Sequence, residues 1–309
     1  MLTAHPTALP GLGGLLAALV AWAPNAGAVQ QSATGITHAF LATGQETMLV
    51  SHRDVVIWRF DRPTRDGWVL PSGNLLLALS KGPKYGGGVV EVTRAGQRVF
   101  EYKGEQEEVN TVQPLPNGRL FITEAGPAPC LKEIDRAGRV HVLVRLQCQT
   151  NNVHLQSRMA RKLANGNYLV PQLLDAVVRE YTAEGKVVWE AKTPGMPFTA
   201  IRLDNGSTLI GCTTANMLIE VDPAGKIVWQ LSNDDLAGKP LHDVCGVQRL
   251  PNGNTVLTNY RAPAGKPRLI EVTRNKKVVW TYTDTSPMGI HHFQILNERG
   301  LPLGGVPLR

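Results

Sequence analysis

A leucine followed three residues later by a glycine recurs along most of this chain. It stands at Leu70-Pro-Ser-Gly73, Leu115-Pro-Asn-Gly118, Leu163-Ala-Asn-Gly166, Leu203-Asp-Asn-Gly206 and Leu250-Pro-Asn-Gly253, with a degenerate copy at Leu296-Asn-Glu-Arg-Gly300. The glycines from Gly73 to Gly253 are spaced 45, 48, 40 and 47 residues apart. Self-similarity at such a period constrains the fold more than composition does, because each repeat must be one supersecondary unit that buries its faces by stacking on its neighbours. Two further elements keep step with the turn. A short apolar segment carries a central glutamate at Glu91, Glu133, Glu180, Glu220 and Glu271, and a β-branched run after it ends in a large residue, with Trp58, Phe100, Val142, Trp189, Trp229 and Trp280 in the same slot.

Each unit therefore reads as four short strands: one before the Leu-x-x-Gly turn, one after it (Leu75 to Leu79 in the first unit), one carrying the Glu and one ending in the large residue. No segment shows a helical period. Four-stranded units of about 40 to 50 residues are the signature of a β-propeller. The expected fold is all-β, a six-bladed β-propeller of four-stranded antiparallel blades with the last blade closed by both termini. His291 to Leu296 would supply its inner strand and Leu301 to Val306 its second, with Glu46 to Ser51 and Val55 to Phe60 completing it. A three-plus-one division that uses His38 to Thr43 is the alternative. The recurring Glu reads as a tie between blades, and the large rings as filling for the wide outer space where blades diverge.

The first 28 residues hold no Lys, Arg, Asp or Glu, and the apolar run from Leu9 to Ala23 leads to Ala26-x-Ala28, which fits a small-residue cleavage site. Residues 1–28 thus read as a signal peptide and residues 29–309 as a single propeller domain that is secreted or periplasmic, with an uncleaved anchor as the alternative. No membrane span is expected after cleavage. Four cysteines remain, Cys130, Cys148, Cys212 and Cys245, without CxxC or HxxxH spacing. Cys130 opens a third strand and Cys148 follows the fourth strand of the same hairpin, so these two are expected to form a disulfide, and Cys212 and Cys245 a second pair. The net charge of +7 is spread thinly, with small clusters only at Arg158-x-x-Arg161-Lys162 and Arg274-x-Lys276-Lys277. That distribution argues against nucleic acid and for a small anionic or carbohydrate-like ligand, or a surface protein, as partner.

Counting back from each turn leucine locates the mouth of the channel. Five residues back stand Arg65, Asn110, Arg158, Phe198, Cys245 and His291, and four back Asp66, Thr111, Met159, Thr199, Gly246 and His292; His154, Asp243, His242, Glu107 and Glu108 lie on neighbouring loops. Arg65, Asp66, Asn110, His154, Arg158, Thr199 and Asp243 are the candidate ligand-binding residues, and His291 and His292 the candidates for catalysis if the protein turns over a substrate. A solvated channel lining explains the same polarity without any ligand. A metal ion held by His154, His291, His292 and Asp243 is a further option, and no other cofactor is expected.

The string His242-Asp-Val-Cys-Gly-Val-Gln-Arg-Leu-Pro-Asn-Gly-Asn254, with Gly225-Lys-Ile-Val-Trp229 before it and His291-His-Phe-Gln-Ile-Leu296 after it, resembles the secreted propellers related to bacterial arylsulfotransferases and to pyrroloquinoline-quinone-like repeats, and looks closest to the uncharacterised members of that group. The quinone dehydrogenases of the group have more blades and a much longer chain, which speaks against a bound pyrroloquinoline quinone here. In the arylsulfotransferases a channel-mouth His accepts the sulfuryl group while further His, Arg and Asn side chains neutralise the sulfate. The resemblance implies those roles for His291 or His292, with His154, Arg158 and Asn110.

Overall fold

The computed structural model describes residues 27–82, 86–304 and 309, so the expected signal sequence lies almost wholly outside the described residues. Six sheets follow one another around a ring. The first full blade consists of Thr64–Val69, Leu75–Leu79, Gly88–Val92 and Arg98–Lys103, each antiparallel to the next. Blades 2 to 5 repeat it over residues 108–145, 161–192, 197–231 and 247–283. The strands form where the sequence places β-branched and aromatic residues, and the Leu-x-x-Gly segment closes the first hairpin. Leu70 accepts from the Gly73 amide at 2.8 Å while Gly73 takes a φ of +86°, a conformation that costs glycine nothing.

The run Leu75 to Leu79 is wholly buried because both of its faces are covered. Leu75, Leu77 and Leu79 pack against Leu41 and Leu49 of the neighbour on one side, and Leu76 and Ala78 against Val109, Val112 and Leu120 on the other. Each fully buried leucine contributes roughly 1.5 to 3 kcal/mol.

The closing blade takes its innermost strand, His292–Leu296, from the C-terminal side and the other three, Ala39–Thr43, Thr47–Val50 and Val56–Phe60, from the N-terminal side. The three-plus-one division therefore replaces the expected two-plus-two. Ala39–Thr43 is fully buried and runs in continuous register with His292–Leu296, which leaves no place for a second C-terminal strand. Pro302 contributes only an isolated bridge to Leu296, and residues 305–308 of the expected strand lie outside the described residues. One strand was not foreseen. Val29–Gln31 adds a fifth strand to the outer edge of blade 5, where Gln30 accepts from Trp280 Nε1 (2.8 Å) and from the His38 amide (2.7 Å), strapping blade 5 to the closing blade.

The repeated Glu and the large residue sit directly opposite one another in every full blade: Glu91 with Phe100, Glu133 with Val142, Glu180 with Trp189, Glu220 with Trp229 and Glu271 with Trp280. A side chain from the following blade then meets the Glu. Arg136 pairs with Glu91 (2.6 Å), Lys162 with Glu133 (2.5 Å), Arg202 with Glu180 (2.8 Å), Arg274 with Glu220 and His38 with Glu271 (2.7 Å). Arg136, Arg202 and Arg274 also lie 4.8 to 4.9 Å over the rings of Phe100, Trp189 and Trp229, adding a cation–π contact to the ion pair. In the closing blade Leu49 replaces the Glu opposite Trp58, and Arg94, which faces this blade, donates instead to the Gly300 carbonyl (2.8 Å).

All four cysteines are free thiols, which overturns the expected disulfides. Cys130 Sγ accepts from Gln106 and Cys148 Sγ from Gln172 Nε2, so the two sulfurs are turned to different partners rather than to each other. Among the described residues no helix is long and apolar enough to cross a membrane.

Candidate functional site

The innermost strands carry the channel, and three of them break register near its mouth. The extra residues are Arg65 between Thr64 and Asp66, Asn110 between Val109 and Thr111, and Phe198 between Pro197 and Thr199. A β-bulge re-aims a side chain. Three of the six positions five residues before the turn are thus bulged residues, which is why they stand apart from their strands at the mouth. In the closing blade the turn begins at Asn297 rather than Leu296, since the Gly300 amide donates to the Asn297 carbonyl. His291 and His292 are therefore one position further from their turn than the repeat count implies.

Arg65, His154, Arg158 and His291 come together, and the residue that joins the first three is Glu108. Its Oε1 lies 3.1 Å from His154 Nδ1 and 3.5 Å from Arg65, and its Oε2 3.6 Å from Arg158. Burial pushes the Glu108 carboxyl up, but the His154 hydrogen bond and the Arg158 and Arg65 charges outweigh it and bring it to about 2. Arg158 is 1% exposed, and its one side-chain hydrogen bond among the described groups runs from NH1 to the Ser157 carbonyl. Burial and the nearby Arg65 lower it to about 10, so it stays charged at neutral pH.

His291 forms the hinge between this polar quadrant and an apolar one. Its ring meets Phe198 and Tyr260 edge-on at 4.4 and 5.0 Å, beside Met159, Leu173 and Cys245. Burial, then the charges of Arg65 and Arg158, hold it well below the usual histidine range, so it is a neutral imidazole, and its Nδ1 is buried without a hydrogen-bond partner. A cavity of about 230 Å³ opens here, lined by Arg65, Lys81, Tyr260 and His291 among others. That volume admits a compact group rather than an extended molecule.

His292 and Asp66 belong to a second group. His292 is fully buried, with neither ring nitrogen hydrogen-bonded, and its Nδ1 lies 3.6 Å from Asp66 Oδ1. Burial and the charges of Arg309 and Arg161 keep it neutral as well. Asn110 and Thr199 are fully buried on their innermost strands with polar atoms that meet no partner. Asp243 is spent elsewhere, 2.6 Å from Arg261. The four residues considered for a metal are consequently dispersed over three settings, and among the described residues no group of three or more His, Cys, Asp or Glu side chains could hold an ion.

Larger cavities of about 530 and 590 Å³ open on the opposite, hairpin-turn face. Their cations are already engaged, Arg249 and Arg274 by Glu220, Arg202 by Glu180 and Lys162 by Glu133. The cavity at the mouth is smaller and is lined by Arg65, whose Nε meets no partner, as is also true of Arg202 Nε and Arg249 Nε on the turn face. Sequence reasoning noted Glu108 only as a loop neighbour, and it missed Tyr260. Their signal was position alone, since no repeat pattern marks either.

Fold and site together define a six-bladed β-propeller with a charged channel mouth. No family model matches the chain, and no curated protein does. A protein of unknown function from Bacteroides caccae is similar in structure, with a TM-score of 0.75 and 24% identity over 85% of this chain and all of that one. A catalytically inactive variant of virginiamycin B lyase from Staphylococcus aureus, solved with quinupristin, superposes with a TM-score of 0.58 at 12% identity, covering 87% of this chain and 96% of that one. A chain of a nidogen/laminin complex gives 0.60 at 10% identity, covering 85% and 99%. Identities this low speak for the fold alone.

Proposed function

We propose that this propeller binds a compact anionic ligand at the channel mouth, with the negative group against Arg65, backed by the charge of the buried Arg158, and an apolar portion against Tyr260. One observation carries the reading: Arg65 and the buried Arg158 share the single carboxylate of Glu108 beside a neutral histidine, which leaves net positive charge behind a cavity of about 230 Å³ that Arg65 and His291 line, with Arg65 Nε unpartnered. Guanidinium groups favour anions with fixed oxygen geometry, such as carboxylates and sulfate or phosphate esters. The ligand would be met outside the cytoplasm, because the uncharged residues 1–28 read as a secretory signal. Phenyl phosphate and phenyl sulfate, with phenol as the uncharged control, are the probes. Titration calorimetry should detect both anions, and Arg158→Ala should weaken them by about 1 to 3 kcal/mol. A wild-type protein that binds neither anion, or an Arg158→Ala variant that binds both equally well, would sink the proposal.

The neutral His291 with its unpaired Nδ1 favours a second reading, sulfuryl transfer. There the imidazole attacks the sulfur of an aryl sulfate, the bond to the phenolate oxygen breaks, and Arg65 and Arg158 offset charge on the remaining oxygens. His291→Ala separates the readings. It would abolish release of phenol from phenyl sulfate if transfer occurs, and would only shift affinity if the site binds without turnover.

A further inference from the structure

Below the mouth, the channel holds a second cationic group whose arrangement differs from an ordinary buried ion pair. Asp66 is fully buried, and its carboxylate is held by the Gly67 amide (2.9 Å) and the Val112 amide (3.2 Å). Arg161 engages both of its oxygens, at 2.9 and 3.3 Å. That pair is complete in charge. Nevertheless a second guanidinium, that of Arg309, enters the same place. It donates to Asp66 Oδ1 (3.0 Å), to the Phe293 carbonyl (2.8 Å) and to the Gly67 carbonyl, and lies 4.0 Å from the centre of the Trp68 ring. Arg161 Nε in turn donates to the Arg309 carbonyl (2.7 Å).

Every wall of this cradle is fixed by something other than Arg309. The Trp68 ring is held by a hydrogen bond from Nε1 to the Val112 carbonyl at 2.5 Å. Gly67 and Phe293 belong to innermost strands, each of which has a ladder partner on one side only and turns its other backbone edge to the channel. An aromatic face, a carboxylate and two edge carbonyls in one place are the chemistry that recognises a planar cation with donors around its rim. An ammonium presents all its donors from one nitrogen, whereas here the contact to Phe293 and those to Asp66 and Gly67 come from two different nitrogens of one planar group.

We propose that the Asp66–Trp68 cradle is a guanidinium-binding site, filled in this chain by Arg309, which thereby acts as a built-in plug of the channel on the hairpin-turn side. A cradle that exists without its occupant accepts an alkylguanidinium from solution once the occupant is removed. The ligand class in trans is a guanidinium, as presented by an arginine side chain.

Chemical rescue tests this. Arg309→Ala should fold, because Asp66 keeps Arg161, but with a lower unfolding temperature than wild type. Ethylguanidinium at millimolar concentration should restore most of that loss, while ethylammonium at equal ionic strength should not. Wild type should show no response to either. Adding Asp66→Asn to Arg309→Ala should weaken ethylguanidinium at least tenfold, since the charge-assisted contact is lost. If Arg309→Ala does not fold alone, its refolding yield with and without ethylguanidinium is the readout, and Arg309→Gln, which refills the space without charge, is treated in the same way. The proposal is overturned if ethylguanidinium and ethylammonium act alike, if wild type responds as strongly as the variant, or if neither variant recovers with ethylguanidinium.

Discussion

Replacing Glu108 by Gln should make the protein less stable and a better anion binder, and both effects follow from one carboxylate. Its value drops from 4.5 to about 2 in the folded chain. A shift of this size corresponds to about 3.4 kcal/mol at neutral pH, at roughly 1.36 kcal/mol per unit. Because the carboxylate keeps some solvent contact, screening reduces the usable part to about 2 kcal/mol. A depressed carboxylate contributes fully above its unfolded value and loses that contribution as pH falls through its folded value. The stability gap between wild type and Glu108→Gln should therefore be about 2 kcal/mol at neutral pH. It should begin to close below pH 4.5 and be nearly gone at about 2. Urea unfolding of both proteins at steps from about pH 7 down to about pH 3 reads this directly. Removing the internal counter-charge should also raise phenyl phosphate affinity by about 1 kcal/mol, roughly fivefold, the Coulomb scale for charges several ångströms apart in a partly wet site. A gap that stays constant with pH would show that His154, Arg158 and Arg65 do not hold Glu108 ionised. A fall in affinity would show that the charge of the mouth is not what attracts the ligand.

Two further outcomes follow from the blade seams and the thiols. Arg202→Ala removes both the ion pair with Glu180 and the contact on Trp189, and should cost about 1 to 2 kcal/mol in urea unfolding; combined with Glu180→Ala the losses should be clearly less than additive, and strict additivity would refute the tie. Burial raises Cys148 to about 11 and Cys212 to about 12, so iodoacetamide at mildly alkaline pH should label the native protein slowly and the unreduced, unfolded chain at all four cysteines, whereas uptake at only two would reveal a disulfide.

Much of the architecture is legible in the sequence because propeller blades are local objects. Hairpin turns need glycine at positive φ, strands alternate on a period of two, and the Glu opposite the Trp slot recurs in each full blade, so the pattern survives without any knowledge of long-range contacts. The repeat count failed where the chain departs from its own rule. Asn297 takes the place of the turn leucine, so the frame around His291 and His292 slips by one residue, and the closing blade divides three to one because Ala39–Thr43 competes successfully for the edge of His292–Leu296.

The sequence by itself determined which residues could reach the channel: the positions four and five before each turn do carry Arg65, Asp66, Asn110 and Arg158. Only the tertiary structure decided how those charges are shared. Glu108 sits in blade 2 and Arg158 just before blade 3, 50 positions apart in the sequence, while Asp66 and Arg309 are separated by |i−j| = 243. Electrostatic energy depends on distance and burial, not on sequence separation, and no turn or strand signal encodes which of several polar side chains will meet once the ring has closed. His291 and His292 make the point most clearly. Adjacent in the chain, they are set by ring closure into different surroundings, His291 against Phe198 and Tyr260 at the mouth and His292 beside Asp66 below it.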